Sequence, residues 1–186
     1  MAISNRERVG KALDLLASGL QPFVERELQS NLGEKWQETV RGSVRDARKF
    51  NMADPATLIG VMWDQWHTVF KNTLGQAERS LLHEIKEFRN RWAHKEAISS
   101  SDAHRALDSI GRLLTAVSSA EAGEVEQMRM DLLRVQFDEQ RRGEMRKVSS
   151  APVEGKPQGG LKAWRDVVTP HPDVASGRYQ QAEFAA

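Results

Sequence analysis

Leu81-Leu82-His83-Glu84-Ile85-Lys86-Glu87-Phe88-Arg89-Asn90-Arg91-Trp92-Ala93-His94 reads as a helix that ends in a polar cluster. Leu81, Ile85, Phe88 and Trp92 recur every three to four residues, the repeat of a helix with one buried face. With about 100° of rotation per residue, His94 falls roughly 150° from the middle of that stripe. Asn90, one turn earlier, points the same way, and Arg89 lies on the flank. A histidine opposite the core is not packing material; solvent, a partner or a substrate must meet it.

Outward from this segment the chain reads as helix nearly throughout, from residue 4 to about 146. Val9, Leu13, Leu16 and Leu20 mark a first helix capped by Ser4 or Asn5. Pro22 is expected to begin a second segment, with Phe23, Val24 and Leu28 on its buried face. Trp36 and Val40 suggest a short helix after Gly33. Asp54-Pro55 combines an N-cap with a proline at the first helical position. The helix it opens is expected to present Ile59, Met62, Trp63, Trp66 and Phe70. Gly75 opens the helix that carries the polar cluster, and Ser99-Ser100-Ser101-Asp102 separates it from the next. That next helix repeats Ala103, Ala106, Leu107, Ile110, Leu113, Leu114 and Val117, the cleanest amphipathic pattern in the chain. Val125, Met128, Leu132 and Val135 then trace a narrower stripe on a long charged helix. The fold class is all-α: a helical bundle with a long C-terminal helix and a flexible tail.

Residues 1–146 are thus expected to form one helical domain. Residues 147–160, rich in proline, glycine and serine, read as a linker. Residues 161–186 have apolar content but too little length for a core, and read as the start of a following domain.

Composition removes several function classes. The chain has no cysteine, which excludes disulfides, thiolate metal sites and cysteine nucleophiles and suits a cytoplasmic location. Neither a signal-peptide hydrophobic core nor a run of the ~18 apolar residues of a membrane span is visible. With 27 Lys and Arg against 26 Asp and Glu, the net charge is +1, so any nucleic-acid surface has to come from local clustering.

Arg89 and His94 fit the needs of RNA cleavage without a metal. The reaction requires a base for the ribose 2′-hydroxyl proton and lasting positive charge beside the pentavalent phosphorus. Histidine exchanges protons near neutrality, and arginine offers a planar fork of donors to phosphate oxygens. Asn90 can orient the imidazole or bind substrate. Spacing alone favours the bland alternative, a solvated histidine at a helix end with Arg89 in a surface ion pair.

Arg89-Asn90-Arg91-Trp92-Ala93-His94 matches the R-polar-x-x-x-H signature of HEPN domains (higher eukaryotes and prokaryotes nucleotide-binding). With Phe88 and Trp92-Ala93-His94 it most resembles the Swt-type branch. Leu13-Asp14-Leu15-Leu16, the helix from Trp63 to Phe70 and Ala106-Leu107-Asp108 occur in the expected order, so the resemblance spans about residues 5–120. It implies an all-α fold, a homodimer that brings two motifs into one cleft, and metal-independent endoribonuclease activity with Arg89, Asn90 and His94 as catalytic residues. No cofactor is implied. Other HEPN domains have lost catalysis and act as RNA- or protein-interaction modules. The tail from Lys162-Ala163-Trp164-Arg165 onward resembles the start of large ATPases found near bacterial phage-defence genes. That likeness implies an anti-phage toxin module ahead of an ATPase domain.

Further cations are candidate RNA contacts: Lys86, Arg91 and Lys95 beside the motif, and Arg41, Arg45 and Arg48 at i, i+4, i+7 with Lys49 adjacent. A solvated helical face is the better account of the latter set, because arginine at such spacing is ordinary. Trp36, Trp63 and Trp66 can stack on bases, but their places on apolar stripes favour core packing. His67 and His83 lack metal-site spacing, though His83 shares the exposed face with Asn90 and His94. No Walker-type phosphate loop is present.

Overall fold

The computed structural model describes residues 3–43 and 50–150. Within them six α-helices run in the order α1 (Asn5–Leu32), α2 (Trp36–Ser43), α3 (Pro55–Asp64), α4 (Gln76–Ala93), α5 (Ser100–Ala116) and α6 (Ala122–Ser150). A short 3-10 turn, Phe70–Asn72, lies between α3 and α4. No strand occurs among the described residues, so the all-α expectation holds. No helix among them is long and apolar enough to cross a membrane.

α1 and α4 both pack most extensively against α5, while α3 closes the remaining side against α1 and α4. Pairwise contacts give the directions. Asn5, at the start of α1, bonds Ser100 at the start of α5, whereas Gly19 lies against Leu114 near the end of α5. These two helices therefore run parallel. Trp92 at the end of α4 meets Gly10 and Arg6 near the start of α1, so α4 runs the opposite way. The core between them is apolar, with Leu16, Leu20, Met62, Leu82, Ile85 and Leu113 wholly enclosed. Leu82, outside the 3.5-residue stripe read from sequence, is as enclosed as Ile85, because α3 and α5 flank α4 together. Ser109 of α5 is the buried polar residue of the described core; it donates to Glu84 of α4, which also pairs with Arg105.

Three sequence expectations change. Pro22 does not begin a new segment; it lies inside the continuous α1. Proline removes one backbone donor, but Ser18, whose carbonyl loses that bond, and Pro22 itself both face solvent. Leu16, Leu20, Phe23, Val24 and Leu28 meanwhile carry one buried stripe past it. The helix opened by Asp54 and Pro55 stops at Asp64 rather than reaching Phe70. Trp66, His67, Thr68 and Val69 are weak helix formers, and successive turns place Trp66, Val69 and Phe70 in the core. α6 continues to Ser150, so 147–150, read as linker from composition, are helical. Residues 151–186, with the rest of the expected linker and the following domain, lie outside the described residues.

The caps match their sequence signals. Ser4 and Glu7 form a capping box on α1, Asp54 accepts from the Thr57 amide at 3.1 Å, and Gly75 precedes α4. Ser99 and Asp102 form a second capping box that starts α5.

Gly19 lets the turn between α5 and α6 approach α1. A Cβ there would meet Leu114 Cδ2 at 2.7 Å and collide with the Ser119 hydroxyl. Alanine gains about 1 kcal/mol of helix propensity over glycine, against an overpacking penalty of about 1–3 kcal/mol. Leu114 is fully buried and has nowhere to move, so Gly19→Ala is expected to lower unfolding free energy in urea titration.

Candidate functional site

α4 carries the motif in its last turn and a half. Its apolar face holds Leu81, Leu82, Ile85 and Phe88 in the core, which leaves Asn90 and His94 exposed and Arg89 half-buried. His94 is the C-cap: its amide still donates to the Asn90 carbonyl at 2.9 Å. The chain leaves the helix at Lys95, whose φ is +60°. The helix thus turns away after the histidine, not before it, and five helical positions separate Arg89 from His94 by about 140°. Arg89 reaches Asn90 instead, donating from Nη1 to Oδ1 at 3.2 Å. Among the described residues no carboxylate pairs with Arg89, and the His94 imidazole makes no hydrogen bond. The surface ion pair that a purely solvated reading gives Arg89 is absent from this set.

The helix end is held by residues outside the motif. Trp92 lies on α1, its Nε1 donating to the Arg6 carbonyl at 3.2 Å and the Arg6 guanidinium over its ring at 5.2 Å. A Cβ on Gly10 would stand 3.1 Å from Trp92 Nε1, so the indole is seated on bare backbone. Asn5 donates to the Ile98 carbonyl at 3.3 Å and the Ser100 hydroxyl at 3.1 Å, fixing the loop that follows His94. Sequence reasoning missed Asn5, Arg6 and Gly10 in this role, since nothing local marks a residue some 90 positions from its partner.

Arg91 also holds this region. It donates to Asp102 at 3.0 Å and to the Ala97 carbonyl at 3.2 Å, and pairs with Glu96 at 3.6 Å. Its guanidinium, expected from sequence among the RNA contacts, is engaged in closing the turn from α4 to α5. Asp102 accepts from Arg91 and from the Ser99 hydroxyl, and these bonds hold its carboxyl well below the ordinary carboxylate range.

The other sequence-named cations divide. Lys86 sits over the Trp63 ring at 5.2 Å, Lys95 is exposed just past the motif, and Arg41 of α2 covers Phe50 at 5.4 Å. Arg45, Arg48 and Lys49 lie outside the described residues. Trp36 and Trp66 are buried, as their stripes imply, whereas Trp63 is half-exposed. His83 is exposed and packs against Trp63, ring centroids 5.6 Å apart.

The bonds to Asp102 make stability depend on acid. Because folding lowers its pKa, its contribution is full above the ordinary aspartate pKa of about 3.9 and is lost as pH falls through the depressed folded value. Asp102→Ala is expected to cost about 1 kcal/mol at neutral pH through the lost cap, read by urea unfolding. Its stability should also fall less steeply than wild type below about pH 4.

Comparison with known proteins agrees with this architecture. The Swt1-like HEPN family profile matches residues 11–118, which takes in most of α1, all of α2 to α5 and the whole Arg89–His94 motif. No curated protein and no solved structure matches the chain. A profile match over more than half the sequence, on an all-helical bundle that exposes the motif at the end of α4, means that this chain belongs to the Swt1-like HEPN family.

Proposed function

We propose that this chain is a metal-independent RNA endonuclease module that acts as a homodimer, with Arg89, Asn90 and His94 as its catalytic residues. One observation carries the reading. Of two arginines two positions apart, Arg91 is paired with two carboxylates, whereas the Arg89 side chain has, among the described residues, only the neighbouring Asn90 as a polar partner, beside an exposed histidine. A half-buried guanidinium without a carboxylate suits an anion supplied from outside.

In the proposed reaction His94 takes the proton of a ribose 2′-hydroxyl, and that oxygen attacks the adjacent phosphorus. The bond from phosphorus to the 5′-oxygen of the next nucleotide breaks, and this oxygen takes up a proton. The products are a 2′,3′-cyclic phosphate and a 5′-hydroxyl. Arg89, oriented by Asn90, stabilises the negative charge of the pentavalent transition state. Since Arg89 and His94 diverge on one helix, each phosphate is served by Arg89 of one protomer and His94 of the other across a two-fold axis. The same reading places the module ahead of an ATPase domain in a bacterial anti-phage protein, as the likeness of the tail suggests.

Purified protein incubated with mixed RNA and EDTA is expected to cut it, and His94→Ala to slow cutting by about 10²- to 10⁴-fold. Arg89→Lys should be nearly as damaging as Arg89→Ala, because lysine keeps the charge but loses the fork. Activity that survives His94→Ala unchanged belongs to a contaminant, and the chain is then a silent interaction module. Melting temperatures of these variants should stay near wild type, since none of the three side chains fills the core.

Arg89→Ala and His94→Ala homodimers are each expected to be inactive. After subunit exchange, their mixture contains heterodimers in which one intact Arg89 meets one intact His94, so partial activity returns. A mixture that exchanges subunits and stays inactive rules out the one-plus-one cleft.

A further inference from the structure

Arg79, in the first turn of α4, is a half-buried arginine whose side chain makes no hydrogen bond or ion pair among the described residues. Its Nε is shielded from solvent and unpartnered; its guanidinium lies over Trp63 at 5.2 Å and Trp66 at 6.0 Å. Stacking on indoles compensates the charge in part, but it satisfies none of the five in-plane donors. A shielded donor without an acceptor is costly, and an acceptor from outside removes that cost.

A groove between α3 and α4 leads to this group. It has a volume of about 280 Å³ and is lined by Trp63, Gln76, Arg79, Ser80 and His83. Trp63 is half-exposed where Trp36 and Trp66 are buried, and Lys86 adds a second cation at 5.2 Å from its ring. An indole with an arginine and a lysine over its ring offers a nucleotide aromatic surface beside charge for its phosphate. His83, Asn90 and His94 fall at i, i+7 and i+11, on one face of α4. The groove therefore lies on the motif's own face, its nearer end about 16 Å along the helix from His94.

We propose that this groove binds an unpaired nucleotide of the RNA whose scissile phosphate sits at the motif, so that the substrate is single-stranded. The inference rests on the RNA-cleavage reading above and adds the substrate class and a second subsite. The base packs against Trp63 and His83, and the phosphate is held by Arg79 and Lys86. Bases of an A-form duplex are stacked and paired, with only their edges in the grooves, and cannot enter a pocket of this size. Glu87, on the same helix, lines the adjoining groove with His83 and sets a local negative charge against the strand.

The test uses the His94→Ala chain, which holds RNA without cutting it, and a short oligouridine containing 5-iodouridine, single-stranded or annealed to oligoadenosine. Single strands are expected to bind at least about tenfold more tightly than duplex and to crosslink to Trp63 or His83, located by mass spectrometry. Arg79→Gln and Lys86→Gln should each weaken single-strand binding by about tenfold and lower the slope of log affinity against log salt by about 0.7. A purely structural arginine would not change that slope. Glu87→Gln should strengthen binding. Trp63→Leu serves as a further variant if its circular dichroism matches wild type. Equal binding of duplex, or crosslinks confined to other positions while the wild-type chain cuts RNA, overturns the groove and leaves the nuclease reading intact. Crosslinks at Trp63 or His83 in a chain whose wild type never cuts uphold the groove and overturn the nuclease reading. No binding of either RNA overturns the groove, and the nuclease reading then stands or falls on cutting by the wild-type chain.

Discussion

The indole of Trp92, seated on the bare backbone of Gly10 and bonded to the Arg6 carbonyl, is the contact on which the motif region depends. It joins the last turn of α4 to the second turn of α1, two segments that approach because both pack on α5. Without it, α4 would be held along its length by Leu82, Ile85 and Phe88 but its exposed end would be free to fray, as helix ends do. Its effect is geometric more than energetic. Arg89 and Asn90 precede the anchored position and His94 follows it, so all three project from a helix end whose rotation is set by a large aromatic group.

Beyond His94 the restraint passes to charge. Arg91 closes the turn into α5 by reaching Asp102, Glu96 and the Ala97 carbonyl, while Asn5 holds the same loop from α1. Asp102 serves twice, as acceptor for Arg91 and as half of the α5 capping box. Exposed ion pairs contribute little stability on average. A carboxylate that also caps a helix is restrained on both sides, and such restraint preserves the position of a neighbouring group even where its net free energy is small.

Set against Arg91, the cations without a carboxylate partner among the described residues stand out. Arg79 and Arg6 both stack on tryptophan and both carry a shielded, unpartnered donor; Arg89 meets only Asn90. Together with Lys86 and Lys95 they form a set of cations without an ion pair among the described residues, which a net charge of +1 does not reveal.

The helices were legible in sequence because apolar periodicity and cap chemistry are local. Ser4, Asp54, Gly75 and Ser99 mark helix starts where the structure has them, and the stripe through Ala103, Leu107, Ile110 and Leu114 is the buried face of α5. The exposure of Asn90 and His94 followed from the same rotation. Where local rules misled, packing overrode them: α1 runs through Pro22 because the lost bond faces water, and α3 ends at Asp64 because turns bury Trp66 and Phe70 better than a longer helix. Only the tertiary structure told Arg89 from Arg91, or Trp63 from Trp36 and Trp66. Whether a side chain is paired or open depends on Asp102, Gly10 and Arg6, and those residues meet the helix end through the fold, not through sequence spacing.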